Sequence, residues 1–321
     1  MSRRPKSEIL DAEEQLLVRI SYACEVQGLT QAQAAEAFGL TRLRVNKALS
    51  EARERGIVRV SINSPLGPCV ALETELIARF GLTSATVAPV AGDHFNPHNV
   101  LGAALGQFLT RFLSRKDVHL FGMSWGNTLN MATRFMEPLN RPDLEITSVM
   151  GGLAKGSDVN SYEITTRLAD LCNAEHSYFT APVYAASVKS RKILREQKEF
   201  RGSIDKIRRA DGLALAAGDM AHSLLLADGL PDDVTVDELV SAGAVGDIMG
   251  YFLDKHGEPI ANDINDRVLG IRLEDLNTLP NVIVAAGGLH KAPIILAILR
   301  RDCVDHLVTD ELTARALLEA A

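Results

Sequence analysis

From Thr83 onward, short apolar runs alternate with stretches of helical periodicity, and few folds accept that order. The runs are TSATVAPV (83–90), VHLFGMS (118–124), LEITSVM (144–150), GLALAAGD (212–219), NVIVAAGG (281–288) and DHLVTD (305–310). Between and after them, residues 100–113, 128–136, 293–299 and a last segment through Leu317 space their apolar side chains as helices do. Runs of this kind read as parallel strands covered by crossover helices. The expectation is a doubly wound, Rossmann-like α/β domain. No repeat of solenoid period and no low-complexity tract competes with it.

Upstream lies a different pattern. Residues 29–55 read LTQAQAAEAFGLTRLRVNKALSEARER. Thr30 is suited to cap a helix from Gln31 to Phe38, with Gln33 placed as in a capping box and Ala34, Ala35 and Phe38 as its packed face. Gly39 supplies a turn, Leu40 plugs it, and Thr41 caps a second helix reaching about Arg55. On that helix Leu43, Val45, Leu49 and Ala52 supply apolar contacts. Thr41, Arg42, Arg44, Asn46, Lys47 and Ser50 offer groups suited to DNA. A helix in the major groove presents its first turns to base edges, so Arg42, Arg44 and Asn46 are the readout candidates. Lys47 is suited to a phosphate. An ordinary helical hairpin with a solvated basic face is the bland alternative; the two caps, the glycine turn and the N-terminal position together favour a helix-turn-helix. Apolar spacing over 11–27 predicts a supporting helix, the alternation from Ile57 to Ile62 a short wing strand carrying Arg59, and residues 1–7 a polar, basic arm without the apolar core of a signal peptide.

With 321 residues, the chain is long enough for a small module and one large core-forming domain. Residues 1–64 carry ten Lys/Arg against eight Asp/Glu, a net of +2, which leaves −9 for the rest of a chain of net −7. A basic head on an acidic body suits a DNA-binding domain carried by one that avoids nucleic acid. Pro65, Gly67 and Pro68 mark a boundary, giving a DNA-binding domain at 1–64, a linker helix at 65–82 and an effector-binding α/β domain at 83–321. The four cysteines lack metal-ligand spacing and read as reduced thiols of a cytoplasmic protein; no apolar run is long enough to span a membrane.

In doubly wound sheets ligands sit at the carboxyl ends of strands. Four stretches there combine glycines with polar groups. Residues 122–128, GMSWGNT, offer backbone N–H groups and the Ser124 and Thr128 hydroxyls as a phosphate cradle, without the Gly-Lys-Ser/Thr of a nucleotide-hydrolysing loop. Met150, Gly151 and Gly152 end another strand, with Lys155 close by. Gly287 and Gly288 precede His290 and Lys291, whose ammonium suits an anion. GAVGDIMGYF (243–252) sets Asp247 among glycines as an acceptor for sugar hydroxyls. Each stretch alone is more often a turn that any α/β fold needs than a site; together they suggest one pocket for a phosphorylated polyhydroxyl ligand.

Other residues carry less. His94 and His98 are separated by Pro97 and read as a polar loop rather than a metal-binding helix face. His290 is balanced between ligand and solvent, whereas Trp125 reads more readily as packing than as a wall for the ligand. The basic run 189–209 reads as a solvated helical surface, with Arg191 or Lys192 as outside candidates for the pocket rim. Neither a metal nor an organic cofactor is expected.

The segments GLTQAQAAEAFGLTRLRVNKAL, GIVRVSI, SWGNTL, GDIMGYFLDKHG and AAGGLHKAPIILAILR leading to LVTDELTA, in this order, resemble the SorC/DeoR-type sugar-binding transcriptional regulators. The resemblance runs end to end. It implies a sensor domain similar to sugar-phosphate isomerases and deaminases, a tetramer, double-stranded operator DNA as partner, and a sugar, polyol or phosphosugar effector. It implies ligand contacts from Ser124, Gly126, Asn127, Thr128, Gly151, Gly152, Asp247, Gly287, Gly288 and Lys291. Arg300 and Arg301 depart from the Gly-Gly pair common in relatives, adding charge near a helix end. Two other readings stay open: a sugar-phosphate isomerase with Asp247 as base, and a constitutive DNA-binding oligomer. The first lacks a second acid/base partner and has no use for a DNA-reading head.

Overall fold

The computed structural model describes residues 12–58, 64, 66–90, 97–153 and 160–321. The chain divides into two compact units, 1–64 and 65–321.

In the first unit, α1 (Ala12–Ser21) runs into a π-helical turn (Tyr22–Val26), followed by α2 (Gln31–Phe38) and α3 (Arg42–Glu54). The local signals act as their chemistry requires. The Thr30 hydroxyl accepts from the Gln33 N–H at 3.3 Å while Gln33 Oε1 accepts from the Thr30 N–H at 2.9 Å, a reciprocal capping box. Gly39 closes α2 in the left-handed conformation, φ 63°, and Thr41 Oγ1 accepts from the Arg44 N–H at 3.2 Å to start α3. Leu17, Ile20, Ala34, Ala35, Val45, Ala48, Leu49 and Ala52 form the core that holds the three helices. Ile57 and Val58 pack on that core; the rest of the expected wing strand, Arg59 included, and the N-terminal arm lie outside the described residues. Leu43, expected among the apolar contacts, is instead 80% exposed. Thr30→Ala removes the hydroxyl that accepts from the Gln33 N–H, while the backbone N–H that donates to Gln33 Oε1 remains, and should destabilise α2 by about 1 kcal/mol. Hydrogen exchange of the α2 amides reads this directly; unchanged exchange there would show that the tertiary core alone fixes the helix.

The second unit opens with α4 (Gly67–Phe80), β1 (Ser84–Ala88), α5 (Pro97–Leu113), β2 (Leu120–Met123), α6 (Asn127–Phe135) and β3 (Glu145–Ser148). Next come α7 (Ser161–Cys172), β4 (Glu175–Ser177), α8 (Val188–Glu196), α9 (Lys198–Ile207), β5 (Gly212–Leu215), β6 (Ala217–Asp219), α10 (Leu224–Asp228) and α11 (Val236–Ser241). It ends with β7 (Gly246–Ile248), β8 (Tyr251–Leu253), β9 (Val282–Ala285), α12 (Ala292–Leu299), β10 (His306–Asp310) and α13 (Glu311–Ala320). Among the described residues seven strands form one sheet, in the order β1-β10-β9-β5-β2-β3-β4, every pair parallel. All residues of β5, β9 and β10 are buried, as strands covered on both faces must be. α4 packs on β1 and α13 within this unit.

Two features depart from the expected pattern. Edge strand β4, Glu-His-Ser, is short and mostly exposed, so no apolar run announces it. GLALAAGD is not one strand: it breaks into β5 and β6, and β6 pairs antiparallel with β7, which pairs with β8, as a separate small sheet. Arg300 and Arg301 hold carbonyls of their own unit, those of Lys255 and Gly257, tying the end of α12 to the loop after β8. Among the described residues, no helix is long and apolar enough to cross a membrane.

Candidate functional site

Along the main sheet the chain steps outward from β2 to β3 and β4, then returns to β5 on the other flank of β2 and proceeds to β9 and β10. Strand order therefore reverses between β2 and β5. The loops leaving the carboxyl ends of such neighbours diverge and open a crevice. The two ends are stitched together: Ser124 N donates to Ala214 O at 3.0 Å, and Ala216 N donates to Ser124 Oγ at 3.2 Å.

Here lies a cavity with about 680 Å³ of space, its open mouth included. Its lining brings together Ser124, Gly126, Asn127 and Thr128 from the β2–α6 turn, Asp247 from β7, and Lys291 before α12. All four stretches singled out in the sequence thus reach one place, the second of them through Met150 alone. Gly126 precedes α6 at φ 136°, a conformation that favours glycine, so the chain can turn sharply and expose the first turn of α6 to a ligand. Thr128 Oγ1 lies 3.3 Å from His98 Nδ1, whose pKa is lowered by burial and then by Lys291 and His290.

Asp247 is the electrostatic centre. Burial pushes its carboxyl from the ordinary 3.8 up to about 6, against the opposing pull of the Gly250 N–H, the Ser223 hydroxyl and the Lys291 charge. The two hydrogen bonds are long, 3.3 Å each, leaving acceptor capacity for a ligand. Lys291 is lowered by burial, with Asp219 and Asp247 opposing, and its Nζ donates to Ala217 O at 3.0 Å. A raised carboxylate pKa means that the folded chain holds its proton longer than the unfolded chain does. The associated stability is fully present below pH 3.8 and is lost as pH climbs to about 6, by roughly 3 kcal/mol at most. Asp247→Asn lacks this loss. Relative to wild type it should gain about 2–3 kcal/mol in unfolding free energy between pH 4 and pH 7, with Lys291 and Asp219 common to both proteins. Parallel denaturant titrations at the two pH values check this, and a pH-independent difference would refute the buried, ionising carboxylate.

Gly151, Gly152, Gly287 and Gly288 do not line the cavity. They are glycines for packing. A Cβ on Gly151 would lie 2.2 Å from Pro182 O, one on Gly152 would meet Asn160 and Tyr162 at 2.8 Å, and one on Gly287 would strike Asp310 Oδ2 at 2.3 Å. The Gly288 N–H is consumed by Asp310 Oδ2 at 2.6 Å and Thr313 Oγ1 at 2.8 Å. Lys155 and His94 lie outside the described residues. Arg191 and Lys192 are not in the lining; the Arg191 Nε donates to Val268 O instead.

Conversely, the cavity is lined by residues that spacing alone did not single out. Asp219, His222 and Ser223 come from β6 and the turn after it; His98, expected in a polar loop, stands instead in the first turn of α5, because Pro97 opens that helix, where a missing N–H costs nothing, rather than breaking it. The signal for Asp219 was present, a carboxylate closing an apolar run. Trp125 lines the cavity and is also packed, its indole N–H 2.8 Å from Met150 Sδ. Gly218 pairs with Asp247 across β6 and β7, and a Cβ there would lie 2.2 Å from the Asp247 carboxylate.

In the first unit, α3 buries Val45, Ala48, Leu49 and Ala52 and turns Arg42, Leu43, Asn46, Lys47 and Ser50 outward, with Thr41 exposed at its start. Arg44 is half-buried and lies 3.4 Å from Glu13 of α1, an ion pair within the unit.

Comparison with known proteins gives one answer. Residues 64–319 match the family model of a sugar-binding domain, Sugar-bind. The erythritol catabolism regulatory protein EryD of Brucella abortus is 28% identical over 309 residues, 96% of this chain and 98% of that protein. The transcriptional regulator LsrR of Enterobacter sp. is 32% identical over 316 residues, 96% of this chain and 94% of its own length. Among solved structures, the full-length sorbitol operon regulator SorC from Klebsiella pneumoniae aligns with a TM-score of 0.69 at 25% identity, covering 95% of this chain and 98% of that one. All three are named as regulators, none as an enzyme. The chain belongs to the SorC/DeoR-type family of sugar-binding transcriptional regulators.

Proposed function

We propose that residues 1–64 read operator DNA through α3, and that a polyol, sugar or their phosphate bound at the β2/β5 crevice sets the affinity of that reading. The observation that carries the effector half is the convergence of Ser124, Asn127, Thr128, Asp247 and Lys291 on one cavity. In it the anionic end of a ligand meets the first turn of α6 and the Ser124 and Thr128 hydroxyls, while Asp247 accepts from hydroxyl groups. EryD and SorC are named for erythritol and sorbitol, so four- to six-carbon polyols and their phosphates come first among candidates.

The DNA half is supported by the capped α2–α3 hairpin and by the polar outer face of α3. Arg42 and Asn46 offer bidentate donors to base edges, Lys47 a phosphate contact, and exposed Leu43 an apolar partner for a thymine methyl. One such helix reads too few bases, so a homo-oligomer, a tetramer as in the sequence-based expectation, would bring copies of α3 to paired half-sites in the cytoplasm. The effector acts by binding one arrangement of the protein better than the other, with the 65–82 segment as the link between the domains at 1–64 and 83–321.

The direct test is calorimetric titration of the chain with a panel of polyols, sugars and their phosphates. One compound should bind with one site per chain, and Lys291→Ala should weaken it about tenfold or more. Wild-type affinity in both Lys291→Ala and Ser124→Ala would place the ligand elsewhere.

A further inference from the structure

At the rim of the same cavity, Asp219, His222 and His290 offer one ligand atom each, and these three atoms lie within 4.8 Å of one another. Among the described residues this is the one group of its kind, and neither the family match nor the cavity's proposed effector assigns it a role. The carboxylate is the fixed member. Asp219 is 4% exposed, and its Oδ1 accepts from the backbone N–H groups of Ala221 at 2.8 Å and His222 at 2.9 Å, with His222 Nδ1 at 3.1 Å. Its other oxygen, Oδ2, is buried without a hydrogen-bond partner and faces His290 Nε2 at 3.7 Å. A buried carboxylate oxygen left unsatisfied is costly and asks for a cation or donor.

The histidines are the adjustable members. Their side chains are 71% and 44% exposed, and their rings stand 5.2 Å apart at 70°. Gly288 makes room for one of them: a Cβ there would lie 2.6 Å from His290 Cε1. A tetrahedral ion with bonds of about 2.0–2.1 Å sets its donor atoms roughly 3.3 Å apart, so small rotations of two exposed rings onto a preset carboxylate suffice. The backbone donors on Oδ1 do what supporting hydrogen bonds do at metal sites, holding the ligand's orientation.

We propose that Asp219, His222 and His290 form a site for a divalent first-row metal ion, zinc by the chemistry of two imidazoles and a carboxylate, with one coordination position open to the cavity. The site needs neither effector nor DNA to fill. Its failure is therefore separable from failure of the effector reading, and the converse holds as well.

The experiment is competition of the untagged full-length protein with a chromogenic chelator for Zn²⁺, without effector. Wild type should take up one ion per chain. The exposed pair His222→Ala with His290→Ala should lose at least about 100-fold in affinity, and Asp219→Asn should lose affinity with a melting curve close to that of wild type. Co²⁺ substitution should give visible d–d absorption without a thiolate charge-transfer band. The site is overturned if wild type holds no ion against the chelator, if the double variant binds as tightly as wild type, or if a thiolate band places the metal on cysteine.

Discussion

Gly218→Ala should blind the protein to its effector while leaving operator binding intact. Gly218 stands directly opposite Asp247 in the β6–β7 ladder, and a methyl group there would sit 2.2 Å from Asp247 Oδ1 and 2.5 Å from Ser223 Oγ. Neither contact is sustainable, and both groups belong to short, buried or half-buried side chains with little room to retreat. The carboxylate must rotate out of the cavity or the ladder must open. In either case the acceptor proposed for the ligand's hydroxyls moves. A hydrogen bond to a charged acceptor is worth about 1.5–3 kcal/mol, so effector affinity should fall roughly 10- to 150-fold. The substitution is remote in sequence from residues 1–64, and operator affinity without effector should stay within about twofold. Half-maximal response at the wild-type effector concentration would show that Asp247 is not a ligand contact.

The second large effect is on DNA. Asn46→Ala and Arg42→Ala remove exposed side chains from the first turns of α3 without touching its buried face of Val45, Ala48, Leu49 and Ala52. A bidentate base contact discriminates by about 1–3 kcal/mol, so each substitution should cost roughly 5- to 150-fold for every half-site bound and relax preference at one base pair. Arg44 should matter less, because its guanidinium is already paired with Glu13 at 3.4 Å. Lys47→Ala should weaken all sequences alike and reduce the slope of affinity against salt by about one for each half-site. Competition binding against a randomised operator library distinguishes the two behaviours. If Asn46→Ala kept wild-type sequence preference, α3 would not be the reading helix in the proposed orientation.

Much of this was legible from residues because the signals are local. Thr30 with Gln33, Gly39 and Thr41 specify helix ends through hydrogen bonds made within four residues, and the structure forms all of them. The buried strands β5, β9 and β10 stood out as uninterrupted apolar runs, since both faces are covered. What was hidden is what depends on tertiary pairing. β4 is three residues at an exposed edge, and β6, β7 and β8 are three residues each, held by pairing to one another rather than by pattern. Leu43 reads as core by composition yet faces outward, because helical position, not hydrophobicity, decides which side it takes.

For the cavity, Ser124, Asn127, Thr128, Asp247 and Lys291 were found because polar residues after strands converge where strand order reverses. Gly151, Gly152, Gly287 and Gly288 look the same in sequence, but what each meets is a carbonyl, a ring or a carboxylate of its own fold. Asp219, His222 and His98 could be joined to the site only by topology, since they arrive from a split strand, the turn after it and a helix more than a hundred residues upstream.

The central claim is that occupancy of this crevice alters operator affinity. It is tested most directly by fluorescence anisotropy of the full-length protein on DNA from upstream of its own gene, at fixed salt, titrated with the compound that binds calorimetrically. Operator affinity should shift at least about fivefold in wild type, as a coupling free energy of 1 kcal/mol or more requires, and Gly218→Ala should show no shift at the same concentrations. A compound that fills the cavity of the wild-type protein and leaves operator affinity unchanged would contradict it.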